Sequence, residues 1–140
     1  MRSVIGYLLM GLLAVSIPTT QGQTRVNDKD VEKLMHNLKE DAKKFKPMFN
    51  NAIKKSTIRK TSREKDAENL VRSFVNQTEA MLNNFKRTKK GDSDFSLVKS
   101  SAAEIDKVVS EIKLEGEAAS MWEKIRTELD QVGSALDLRP

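Results

Sequence analysis

Residues 61–91 read TSREKDAENLVRSFVNQTEAMLNNFKRTKKG, and the spacing of the apolar side chains in this stretch decides how the chain folds. Ala67, Leu70, Val71, Phe74, Val75, Thr78, Met81, Leu82 and Phe85 follow at steps that collect them on one side of a 3.6-residue helix. The doublets Leu70/Val71, Phe74/Val75 and Met81/Leu82 widen that side beyond the seam of a two-stranded coiled coil, so this helix needs two neighbours. At its start, Thr61 and Glu64 predict a capping box, in which the hydroxyl accepts from the Glu64 amide and the carboxylate reaches back. At its end, Lys86, Arg87, Lys89 and Lys90 suit the negative pole of the helix, and Gly91 is expected to turn the chain.

The same period recurs on both sides. Upstream, Val31, Leu34, Leu38, Ala42, Phe45, Phe49 and Ile53 form one stripe behind Asn27, an expected N-cap with Asp28 and Asp30 in the first turn. Pro47 lies inside this stripe and has no amide to donate, yet the phase holds from Phe45 to Phe49. The spacing therefore predicts one helix over about residues 28–55, kinked near Pro47. Downstream, Phe95, Val98, Ala102, Ile105, Val109 and Ile112 follow the cap cluster Asp92-Ser93-Asp94 and stop before Gly116. Ala118, Met121, Trp122, Ile125, Leu129, Val132 and Leu136 make a fourth stripe. Short links between long amphipathic helices place sequence neighbours antiparallel, so the expected fold is all-α, an up-down-up-down four-helix bundle.

Ahead of the bundle, MRSVIGYLLMGLLAVSIPTTQGQ has Arg2, an apolar run from Val4 to Ile17 and a small, polar exit. This is the layout of a secretory signal peptide. The run is shorter than the roughly 20 residues that span a bilayer as a helix. Cleavage near Gly22 would leave residues 23–140 as a single helical-bundle domain. The chain has no cysteine, so neither a disulfide nor a thiolate is available to it. Its net charge of +5 is unevenly spread: residues 23–90 are strongly basic and residues 91–140 acidic. Such an asymmetry can pair the two halves or recruit outside partners.

Few residues suggest chemistry. His36 is the sole histidine, lies off the stripe, and has only Glu32 one turn away, which is far from the several inward carboxylates and histidines of a di-metal bundle. Most carboxylates sit on polar faces within reach of a cation, as Glu40 does with Lys44, while Glu64 and Glu68 form a like-charge pair. No G-x-S-x-G elbow or glycine-rich phosphate loop occurs, and Gly91, Gly116 and Gly133 are far apart. Neither a cofactor nor a metal is expected. Trp122 falls in the fourth stripe and is expected in the core; Gly133 marks close helix contact or fraying. Asn76-Gln77-Thr78 matches a glycosylation sequon but sits in mid-helix.

The remaining candidate is KKSTIRKTSREK, residues 54–65, with six cations and one carboxylate. Lys54 and Lys55 are accounted for by the end of the first helix, and Thr61 with Glu64 by the start of the second. Arg59, Lys60 and Arg63 are left as candidate anion-binding residues. Nucleic acid is not the expected partner, because aromatic side chains to stack on bases are missing from this segment and from residues 86–90.

The segments VEKLMHNLKEDAKKFKPMFNNAI, SREKDAENLVRSFVNQTEAMLNNFKRT, AAEIDKVVSEIKL and MWEKIRTELDQVGSAL give the chain a resemblance to uncharacterised exported all-helical proteins of soil bacteria. The resemblance implies a helical bundle in the bacterial envelope or outside the cell, and carries no catalytic residues. The expectation is an exported, non-enzymatic protein, periplasmic or secreted, with a structural or protein-interaction role in the envelope and an unknown protein partner. The alternative is a binder of anionic surfaces, such as lipid head groups, lipopolysaccharide or polysaccharide, through the turn 54–65.

Overall fold

Asn27 begins the first helix as its sequence position requires: its side-chain oxygen accepts from the Asp30 amide at 2.8 Å, which satisfies one of the amides that a helix start leaves unpaired. The structure, a computed structural model, describes residues 26–138. The expected signal peptide over 1–22 and its exit near Gly22 lie outside the described residues. Within them are four helices, α1 (Asp28–Lys54), α2 (Ser62–Thr88), α3 (Asp92–Ile112) and α4 (Gly116–Asp137). They form the expected all-α four-helix bundle. α1 packs closely against α2 and α4, α2 also against α3, and the α3–α4 seam is the most sparsely packed.

α1 runs unbroken through Pro47. Pro47 and Lys43, whose carbonyl would have received the missing proline donor, are both exposed, so water can replace the lost bond. The buried stripe of α1 is Val31, Met35, Leu38, Ala42, Phe45, Phe49 and Ile53. Met35 takes the central place that the spacing assigns to Leu34, which is only partly buried. On α2 the expected stripe is buried except for Leu70, and the Thr78 hydroxyl donates to the Val75 carbonyl at 2.7 Å.

Trp122 joins the four helices. It is 1% exposed, stacks on Phe45 of α1 with ring centroids 5.1 Å apart, and meets Phe74 of α2 edge-on at 5.7 Å. Its indole Nε1 donates to Asp106 of α3 at 2.8 Å. The same carboxylate receives Arg126 of α4 at 2.6 Å on both oxygens, so a polar clamp holds the sparse α3–α4 seam. Gly133 belongs to that seam as well. A Cβ there would lie 2.8 Å from the Phe95 ring, so the glycine marks close contact rather than fraying.

The turns depart from their predicted chemistry. Each is closed by a lysine in the left-handed region, Lys60, Lys89 and Lys113, with φ of 63°, 61° and 53°. Gly91, expected to supply that conformation, has φ −139° and serves as the N-cap of α3. It is small for lack of room: a Cβ would come within 3.0 Å of Met35, 3.2 Å of Leu136 and 3.4 Å of Phe85. Asp92-Ser93-Asp94 does not cap α3, since these residues already lie within the helix and no side chain bonds at its cap. The capping box of α2 is likewise shifted. Thr61 accepts from the Arg63 amide at 3.2 Å, and Glu64 reaches the Lys60 amide at 2.6 Å, because the left-handed turn at Lys60 points that N–H at the helix start.

At Lys113 the Leu114 amide reaches back to the Val109 carbonyl at 3.0 Å, a Schellman closure that favours glycine at the left-handed position. The Lys113 side chain is exposed and makes no ion pair among the described residues. Lys113→Gly should therefore raise stability by roughly 0.5–1 kcal/mol, the relief of left-handed strain less the chain entropy of glycine. Urea denaturation would show a higher midpoint at unchanged slope.

Candidate functional site

The basic segment 54–65 forms the tip between α1 and α2. Ile58, in the middle of this run of charge, is buried at 5% exposure and plugs the end of the core. Around it the turn bonds to itself. Ser56 Oγ donates to the Ile53 carbonyl at 2.7 Å and accepts from the Ile58 amide at 3.3 Å. The Thr61 hydroxyl donates to the Ile58 carbonyl. A self-bonded turn with an apolar anchor holds the cations outward.

The three candidate anion-binding residues do not share one environment. Arg63 pairs with Glu111 of α3, a tie from the second helix to the third. Arg59 and Lys60 are exposed, and their charged groups make no ion pair among the described residues. Lys54, Lys55 and Lys65 share that condition at the same end. The set with uncommitted charge is thus Lys54, Lys55, Arg59, Lys60 and Lys65. The antiparallel fold brings the α3–α4 turn to this end too, with Glu111, Glu115 and Glu117 against one lysine, Lys113. The tip is basic on its α1–α2 side and acidic across from it.

Elsewhere the helices consume most of the groups that stood out in the sequence. Glu32 pairs with Lys89 at 3.2 Å instead of standing beside His36. Glu40 takes its neighbour Lys39 at 3.3 Å rather than Lys44. Asn76 is exposed while the other two sequon residues are tied inward, Gln77 accepting from Ser101 at 2.6 Å and Thr78 buried. An open groove of about 540 Å³ follows the α3–α4 seam, lined by Phe95, Ala102 and Leu129 together with Lys99, Asp106 and Asp130. Among the described residues no group of three or more His, Cys, Asp or Glu side chains is placed to hold a metal, and no helix is long and apolar enough to cross a membrane.

One polar cluster went unnoticed in the sequence. Asp41 of α1 is 5% exposed and accepts from Lys124 of α4 at 3.1 Å. Glu128 lies one turn beyond Lys124 on the same face of α4, which brings it beside Asp41. Its Oε1 is shielded from solvent and meets no N–H or O–H donor among the described residues. Burial first, then the hydrogen bond and charge of Asp41, push the Glu128 carboxyl up to about 8, against the opposing pull of Lys124 and Lys44. Burial would also raise Asp41, but its bonds to Glu128 and Lys124 and the charges of Lys124 and Lys44 outweigh it and hold that carboxyl below its ordinary value. Asp41 falls three residues after Leu38, so its place on the buried stripe was a legible signal.

The fold and tip define an all-α four-helix bundle with an exposed basic end. No protein-family model, curated protein or solved structure matches the chain.

Proposed function

We propose that this chain is an exported, non-enzymatic helical-bundle protein that works through its surface, as a structural or protein-interaction component of the bacterial envelope, as its resemblance to exported all-helical proteins of soil bacteria implies. The supporting observation is that its charge asymmetry is not discharged internally. Of the ion pairs described, only Arg63–Glu111 joins a cation of α1–α2 to a carboxylate of α3–α4. Lys39–Glu40 and Lys89–Glu32 stay within the first half, Lys107–Glu104 and Arg126–Asp106 within the second, and Lys124–Asp41 runs in the opposite sense. Both signs of charge are therefore displayed outward, where they steer and orient charged partners. Crosslinking in intact cells should recover one defined partner, lost on raising salt. Recovery of none under several growth conditions overturns the reading.

A second reading, binding to an anionic surface, draws on the five uncommitted cations at the α1–α2 tip. Attraction of this kind is screened within about 8–10 Å at ordinary ionic strength. Binding to vesicles containing anionic lipid, or to heparin, should thus fall steeply with salt. Lys55→Glu, Arg59→Glu and Lys60→Glu together should abolish it and leave the melting temperature nearly unchanged, since none of the three side chains joins a described ion pair. Binding retained by the triple variant would sink this reading.

A further inference from the structure

The geometry points to a proton-operated latch between α1 and α4: Asp41 and Glu128 share one proton across the seam, and the seam loosens when that proton leaves. Two carboxyl groups bond to each other only when one of them carries a proton, because each carboxylate is an acceptor alone. Asp41, on α1 with its side chain 8% exposed, is held by Lys124 at 3.1 Å, and Glu128 follows Lys124 by one turn on the same face of α4. Glu128 Oε1, shielded and without a donor, receives no hydrogen bond that would stabilise a negative charge there. The proton therefore belongs on Glu128, which donates to the Asp41 carboxylate.

The charged groups acting on Glu128 are Asp41 and Lys44 from α1 and Lys124 from its own helix. α3, the other helix packed against α4, contributes none of them; its Asp106 is committed to Trp122 and Arg126. Lys124 alone bonds to the pair, at 3.1 Å from Asp41, while Lys44 acts on both carboxyls through its charge. With the proton in place the bonded groups Asp41 and Lys124 carry one negative and one positive charge. Without it, a second negative charge falls on a carboxyl whose Oε1 is shielded from solvent, and the charges of Lys124 and Lys44 offset it only in part.

The pH dependence has a definite sign. Glu128 keeps its proton in the folded chain up to about 8, whereas an unfolded glutamate loses it near 4.5. Between these limits the folded state binds more protons, so stability is fully present below the lower value and is lost as pH rises through the upper one. Asp41, held below its ordinary value, acts oppositely and only at acid pH. Lys124, raised by its bond to Asp41, holds its contribution until pH passes its unfolded value of 10.5. The window from about 5 to 8 belongs to Glu128 within this cluster, and a single proton changes the opening equilibrium by at most about tenfold per pH unit there.

The test compares wild type with Glu128→Gln, whose amide can donate to Asp41 without titrating. Wild type should melt progressively lower from pH 6 to pH 9, with amide exchange in α4 accelerating beyond its intrinsic pH dependence. Glu128→Gln should remove most of that decline, matching wild type near pH 5 and melting above it at pH 9. In parallel, carbon-13 NMR of wild-type Glu128 should show its carboxyl titrating well above the ordinary glutamate range. Titration near pH 4–5 overturns the latch whether or not the variant folds, as does a pH 6–9 decline that Glu128→Gln leaves intact.

Discussion

Trp122→Ala should lower the melting temperature of the bundle by roughly 12–20 °C, more than any other single truncation proposed for it. The ring is buried against Phe45 and Phe74, and such a deletion costs about 3–5 kcal/mol through lost transfer energy and the cavity left behind. In a domain of this size each kcal/mol shifts the midpoint by about 4 °C. The loss spreads widely because the indole touches side chains of the other three helices, and only its N–H reaches α3. Calorimetry at neutral pH measures the shift. A change below about 5 °C would mean that Trp122 does not organise the core.

Asp106→Ala should cost about 2 kcal/mol, mostly for a reason other than charge. Arg126 is 43% exposed and regains water when its partner goes, so the ion pair itself contributes little. The indole N–H cannot do so: buried without an acceptor, it carries a desolvation cost of about 1–3 kcal/mol. Asp106→Asn keeps an acceptor oxygen and should be milder. Trp122→Phe removes the donor, so Asp106→Ala should cost about 1 kcal/mol less in that background than in the wild type. Urea denaturation of the four chains in this cycle separates the hydrogen bond from the ion pair. Equal cost in both backgrounds would assign the clamp to Arg126 instead.

The four stripes were legible because a helix turns by a constant angle, so apolar spacing in the sequence becomes a face in space. The burial of Trp122 and the continuity of α1 through Pro47 follow from phase alone. Turn chemistry was harder to read. Gly91 looks like a residue chosen for left-handed backbone, but that conformation falls to Lys89, and Gly91 is confined by Met35, Leu136 and Phe85 from three helices. Ile58, surrounded by charge in the chain, gave no periodic signal, yet it closes the core at the tip.

The candidate anion site was half legible. Composition shows where cations concentrate and cannot show which of them other helices consume, so Arg63 stood beside Arg59 and Lys60 until α3 placed Glu111 against it.

The amino-acid sequence by itself determined four amphipathic helices, their antiparallel order and the charge of each half, because these depend on neighbours within a few turns of one chain. Only the tertiary structure decided which charges meet. Asp41 and Glu128 are 87 residues apart, and they face each other through the relative rotation and height of α1 and α4. A shift of one residue along either helix turns a side chain by about 100°, enough to break the pair while leaving every apolar stripe in the sequence unchanged.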